Sequence, residues 1–208
     1  MPLFGIFFAP LPCDFWSAYS GRPFVHCLEC DVPLLESSAY IVQKRIVAGE
    51  TVFEMAVCNG CREEMVKQYS EETRQNISNF IRQQVQESLR REEGGLTLSD
   101  LLEVREIEDP EEGAQLLKEC LEQCVVCGKP RSACHRYSLS GLCRSDEIIA
   151  QVSPFARTPM LICETCGQGM ASLISQQTRD SWDRFMEKHF GGPPGIEVDS
   201  PAGYPMGF

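Results

Sequence analysis

The chain of 208 residues has no long hydrophobic run. None of its apolar stretches approaches the ~20 residues that a membrane-spanning helix needs, so no span is expected. Residues 1–11 are apolar, yet they lack a positive n-region and a small-residue cleavage pattern, and Pro10 and Pro12 break up this part of the chain. The expectation is therefore a cytoplasmic protein, its N-terminal segment packed on the rest. Basic charge is also short: 19 Lys and Arg stand against 30 Asp and Glu, a formal net charge of −11. Nucleic-acid binders draw much of their affinity from neutralising phosphates, which so acidic a chain does poorly. Common catalytic signatures are missing as well. There is no G-x-x-x-x-G-K-[ST], no G-x-G-x-x-G, no H-E-x-x-H and no G-x-S-x-G, so the corresponding phosphate-loop, dinucleotide, zinc-protease and serine-nucleophile chemistries find no support.

Cysteine is what the chain has in excess, with 12. That density means either a disulfide framework in an oxidising compartment or metal sites in a reducing one. The cysteines fall in C-x-x-C pairs, which favours metal. Cys58-Asn59-Gly60-Cys61 and Cys163-Glu164-Thr165-Cys166 each lead into a helical run. The two copies stay in register beyond the cysteines: an offset of 105 carries Cys58 to Cys163, Ser70 to Ser175, Thr73 to Thr178, Arg74 to Arg179 and Phe80 to Phe185. Upstream pairs, Cys27/Cys30 and Cys124/Cys127, are offset by 97, so the second copy carries eight extra residues between its pairs. A duplicated unit of about 80–90 residues is the size at which an apolar core alone is marginal and a metal staple helps.

Each upstream pair has the form of a knuckle, in which a tight turn brings two sulfurs to one metal while backbone N–H groups hold the thiolates charged. Gly128 follows Cys127 where positive φ is convenient; Asp31 takes that place in the first copy. Residues 39–47 and 51–57 are rich in Val, Ile, Tyr and Phe around Ala48-Gly49-Glu50, which reads as a β-hairpin. The matching part of the second copy reads as more irregular, with residues 148–152 and 160–162 its best strands and Pro154 and Pro159 confining any sheet to edges. Ser70 has the look of an N-cap before a helix from Glu71 to about Arg91, with Ile77, Phe80, Ile81, Val85 and Leu89 along one stripe. Trp182, Phe185, Met186 and Phe190 form the stripe of the second copy, stopped by Gly191-Gly192.

The order of knuckle, hairpin and C-x-x-C at a helix start resembles the treble-clef group of zinc fingers, over roughly residues 26–70 and 123–175. The resemblance is one of architecture and implies no activity. It implies one site of Cys27, Cys30, Cys58 and Cys61 and a second of Cys124, Cys127, Cys163 and Cys166. It also implies an α+β fold of two tandem modules, each a knuckle, a β-hairpin and a helix. Four thiolates in a tetrahedron suit Zn²⁺, and such closed sites are structural. Two ions so held would take the net charge to about −15.

The expected organisation is an N-terminal aromatic segment with the first module and long helix over 1–91, an acidic linker over 92–119, the second module over 120–190, and a Gly/Pro-rich, disordered tail over 191–208. The linker holds ten Asp and Glu against Arg105 and Lys118, and residues 99–107 or 113–120 read as short helices. Cys13, Cys120, Cys134 and Cys143 are left over. Cys120 competes with the second pair set if its region is helical. Cys134, His135 and Cys143 suggest a thiol or metal-dependent enzyme, although no motif places an Asp or Asn beside them. His26 adjoins a complete ligand set, and His189 reads as packing or solvent-facing. The function expected is that of a non-catalytic zinc protein serving as an adaptor or regulatory subunit. Its partner would be another protein, with no membrane involved, and homo-oligomers are left open. The rivals are a nucleic-acid-binding zinc finger, through Arg74, Arg82, Arg90 and Arg91 or Lys129, Arg131, Arg136 and Arg144, and the thiol enzyme.

Overall fold

The computed structural model describes residues 5–91, 110–152 and 157–191. The expectations for residues 92–109 and for the tail from 192 onward fall outside it. The fold is mixed α/β around an antiparallel sheet.

The first copy folds its Val/Ile/Tyr-rich runs into β2 (Tyr40–Val47) and β3 (Glu50–Cys58). They are joined at Ala48 and Gly49, both at positive φ, a turn whose twist matches that of the strands it connects. The second copy repeats the hairpin as β4 (Arg136–Arg144) and β5 (Glu147–Val152), with Ser145 at positive φ in the place of Ala48. Here the structure departs from the expectation of an irregular stretch with strands only at edges. β4 lies between β2 and β5 in the interior of the sheet. Its Ser and Gly content carries little strand preference, and pairing on both sides overrides it. Gly141 is needed there: a Cβ would come within 2.6 Å of the Phe15 ring and 2.9 Å of Ile148.

The N-terminal segment, expected to pack on the rest, does so as a strand, β1 (Gly5–Pro10), which pairs antiparallel with β5. Its Phe15 is fully buried in the main core. The path of the sheet is β1-β5-β4-β2-β3, with β6 (Arg157–Thr158) on β5 and β7 (Met160–Cys163) on β4. Offset 97 still relates Met55 to Val152, and offset 105 relates Ala56 to Leu161, so the extra residues of the second copy lie between Val152 and Leu161.

The two copies therefore share one sheet. β2 and β4 pair so that Gln43 faces Ser140, residues separated by 97, the interval between the knuckles. The pairing is thus centred on equivalent positions, as in an isologous dimer about a twofold axis. β2 is covered on both faces: Tyr40, Val42 and Ile46 are buried, and so are the alternate Ile41 and Gln43.

Helices α1 (Asn59–Lys67) and α2 (Glu71–Arg91) follow the first copy, and α4 (Glu164–Ala171) and α5 (Gln176–Phe190) follow the second. Between them α3 (Pro110–Leu121) runs past residue 119 and adds Leu117, Cys120 and Leu121 to the main core. In α5 the expected stripe holds, but its burial crosses the copies. Trp182 and Met186 pack on Met55 of β3, with Phe53 and Met65 at the margin. Side chains of that size each contribute about 1.5–3 kcal/mol when buried. In α2, Ile77 is buried and Phe80 half-buried; Ile81, Val85 and Leu89 lie outside the described side chains.

Candidate metal centres

Eight of the twelve cysteines assemble into two groups of four. Cys27 and Cys30 come from the first knuckle, Cys58 ends β3 and Cys61 sits in the first turn of α1. Cys124 and Cys127, with Cys163 at the end of β7 and Cys166 in α4, form the second group. Within each group the sulfurs all lie within 4.8 Å of one another. The grouping of the sulfurs is the one to which the C-x-x-C pairs point. Cys120 is in neither group, being turned into the core instead.

The knuckles of the two copies share the same backbone bonds. Cys27 N–H donates to Val32 O, and Cys124 N–H to Lys129 O, closing the knuckle turns. Each turn passes through a positive φ, at Asp31 (61°) and Gly128 (71°). Asp tolerates that region better than most residues because its short polar side chain bonds locally. Leu28 N–H then donates to Ala56 O, and Val125 N–H to Leu161 O, which docks each knuckle on the strand that ends in the third cysteine of its group and leads into the helix bearing the fourth. Cys58 N–H points at Cys27 Sγ (3.3 Å) and Cys163 N–H at Cys124 Sγ (3.4 Å).

Sulfur spacing decides between the two uses of such a cluster. Cys30 Sγ lies 3.7 Å from Cys58 Sγ, and Cys127 Sγ lies 3.7 Å from Cys163 Sγ. A disulfide requires about 2.05 Å. Four sulfurs at about 2.3 Å from a tetrahedral ion stand about 3.8 Å apart. With one pair in each group at that spacing and every sulfur within 4.8 Å of the others, both groups can hold a metal ion.

The electrostatics favour a cation at the centre. Burial pushes the Cys61 and Cys166 thiols up, and the facing sulfurs of their own groups push them further. At the rim the balance reverses: the Lys129 N–H leads in lowering Cys127 to about 7, against a smaller penalty from burial. For Cys27 burial opposes ionisation, but the N–H groups of Cys58, Cys30 and Glu29 outweigh it and hold the thiol below its ordinary value.

The remaining thiols are kept apart. Cys134 bonds Pro130 O at 3.3 Å, just before β4. Cys143 is fully buried near the other end of β4 and burial raises it to about 12. At about 3.4 Å per residue, the strand between them spans roughly 30 Å, so Cys143 cannot resolve or co-ligate at Cys134. His135 is exposed, as is Cys13.

A link that the sequence did not announce ties the first centre to the second copy. Glu29, inside the first C-x-x-C, accepts from Lys188 Nζ and contacts His189 Nε2 of α5. The His189 ring also meets the Phe185 ring at a tilt of 51°, centroids 4.7 Å apart. Burial works against the Glu29 carboxylate, but the two α5 side chains hold it below the usual range. Nothing local signals a contact 160 residues away in sequence. Beside it, a cleft of about 390 Å³ opens between α1 and α5, lined by Cys61, Met65, Tyr69, Trp182, Phe185 and Lys188 among others.

Among the described residues no helix is long and apolar enough to cross a membrane. No family model, curated protein or solved structure matches the chain.

Proposed function

We propose that the chain is a non-catalytic, cytoplasmic zinc protein, built from two treble-clef-like units, that presents surfaces to another protein as an adaptor or regulatory subunit. Zn²⁺ is the ion that best suits the cages, since all-sulfur tetrahedral donors select it over harder cations. Cys27, Cys30, Cys58 and Cys61 hold one ion, and Cys124, Cys127, Cys163 and Cys166 the other. An ion bound by four thiolates keeps no open position for substrate, so its contribution is to lock knuckle, strand and helix together.

The observation that carries this reading is the 3.7 Å sulfur spacing, met twice. The protein-partner side is favoured over nucleic acid by what the basic residues do. Arg131 pairs with Asp14, Arg136 with Glu164, and Arg74 bonds the Lys67 carbonyl. Cations engaged in this way neutralise few phosphates. The test is an affinity capture from the native cell, run in parallel with zinc-loaded protein and a Cys58→Ser variant. Zinc-dependent capture of a defined protein supports the reading. Capture that survives chelation, or salt-sensitive binding to random DNA or RNA, overturns it.

A further inference from the structure

The internal duplication provides its own comparison for one surface. The outer edge of the second copy is closed twice: the knuckle bonds Leu161 through Val125, and β1 pairs along the whole of β5 from Pro10↔Glu147 to Gly5↔Val152. Residues 50–55 of β3 are the equivalents of β5 in the first copy. There the knuckle closes Ala56 through Leu28, and among the described residues no further strand pairs with it.

The direction of the ladder shows which groups this leaves open. Asn59 N–H donates to Ala39 O on the β2 side, whereas Ala56 O faces outward to Leu28. Alternation along the strand then turns the N–H and C=O of Glu54 outward as well. Among the described residues no backbone hydrogen bond from another element reaches residues 50–55 on that side. Apolar side chains flank the open stretch: Val52 is 57% and Tyr19 98% exposed, with Tyr19 beside Glu54, whose carboxylate takes the Ser17 hydroxyl and the Ala18 N–H.

Resting on the interaction reading above, we infer that residues 50–55 of β3 form a docking edge for an extended, basic and apolar segment of another protein, added antiparallel as β1 is added to β5. Main-chain pairing supplies affinity in such strand addition, and alternate side chains supply specificity. The equivalent of Val52 is Ile149, which stands opposite Phe8; the incoming strand therefore carries a large apolar residue at that place. Glu50 is exposed and the chain is strongly acidic, which favours a basic neighbour there. A second copy of this chain fits poorly. Antiparallel self-pairing centred on Val52 sets Glu50 of each molecule opposite Glu54 of the other, and like charges directly opposed destabilise a ladder. The bulge at Val52, between the Arg45 and Ile46 pairings, is a further guard of the kind edges use against self-association.

The test uses the full, zinc-loaded chain and a peptide of the β1 sequence Gly-Ile-Phe-Phe-Ala-Pro flanked by lysines, with a glutamate-flanked twin. Amide exchange is followed by NMR. The lysine peptide is expected to slow exchange at Glu54 by about tenfold and to bind about tenfold more tightly than its twin, while Val52→Asp weakens it by a similar factor with metal content unchanged. Four results overturn the inference: no protection at Glu54 with millimolar peptide, protection at Ile149 or Gln151 instead, equal binding of both peptides, or protection at Glu54 that follows protein concentration alone. Any of these with zinc-dependent capture intact rejects the edge and leaves the interaction reading standing.

Discussion

Ser70 Oγ lies 2.7 Å from Ser175 Oγ, its equivalent in the other copy. Around this contact the bonds are reciprocal. Ser70 N–H donates to Thr178 Oγ1 at 3.0 Å, and Ser175 N–H donates to Thr73 Oγ1 at 2.9 Å. Thr73 and Thr178, themselves 3.0 Å apart, are almost wholly buried. The hydroxyls that cap α2 and α5 thus also fasten the copies together. The chain is arranged as a dimer of its own halves, and stability follows that arrangement.

Replacing one capping hydroxyl should therefore disturb both helices. Ser70→Ala is expected to cost about 1 kcal/mol as a lost N-cap. Thr73→Val leaves buried donors and acceptors of both copies unpaired, at about 1–3 kcal/mol. In chemical denaturation, a Ser70→Ala/Ser175→Ala double-mutant cycle should show coupling of about 0.5 kcal/mol or more. Strict additivity would mean that the two caps act independently.

Metal loss should be transmitted between the copies. Cys61→Ser opens the first cage, and its knuckle and α1 pack on β3 and α5, which carry the shared sheet and the Glu29 link. Structural zinc contributes about 10–16 kcal/mol in small domains, against a whole-domain stability of about 5–15 kcal/mol. Elemental analysis of the variant should find well under one ion per chain, and melting should occur as one transition at lower temperature. A full equivalent retained in the second cage, with that half melting as before, would refute the coupling.

Tyr40 makes a prediction at alkaline pH. Burial pushes its phenol well above the ordinary value, helped by the charges of Cys143 and Asp146, while its hydroxyl donates to Ser145 O at 2.9 Å. A folded-state value raised above the unfolded one gives stability that is complete below the unfolded pKa of 10.0 and is lost as pH rises beyond it. Wild-type melting temperature should fall above that pH more steeply than that of Tyr40→Phe, which lacks the group. At neutral pH the variant should lose only about 1 kcal/mol, the net worth of one hydrogen bond. Parallel curves above pH 10 would show that Tyr40 does not carry the linkage.

Gly141→Ala places a methyl 2.6 Å from the Phe15 ring. Overpacking of this kind costs about 1–3 kcal/mol, and a Phe15→Leu change in the same chain should recover part of it. No loss in a urea melt would mean that the ring moves aside freely.

Much of the candidate site was legible because its determinants are short-range. A C-x-x-C pair brings its own two sulfurs together, Ser70 caps the helix beginning one residue later, and Gly128 or Asp31 turns the knuckle. The hairpin of the first copy could be read for the same reason, its β-branched runs being strand formers on either side of a tight turn. β4 escaped notice because Ser138, Ser140 and Gly141 have no strand preference of their own; they are strand because β2 and β5 pair on either side. β1 escaped for a similar reason, its partner being more than a hundred residues away.

Spacing by itself determined that the chain is one unit copied once, that eight sulfurs stand in two sets, and where the helices after them begin. Those are properties of residues near one another along the chain. Only the tertiary structure decided that the copies are halves of one sheet, that α5 buries Trp182 and Met186 on Met55 of the other copy, and that one edge is sealed by β1 while among the described residues no strand pairs with its twin. Such pairings join residues far apart in sequence, and their energy depends on surfaces that do not exist until both partners have folded.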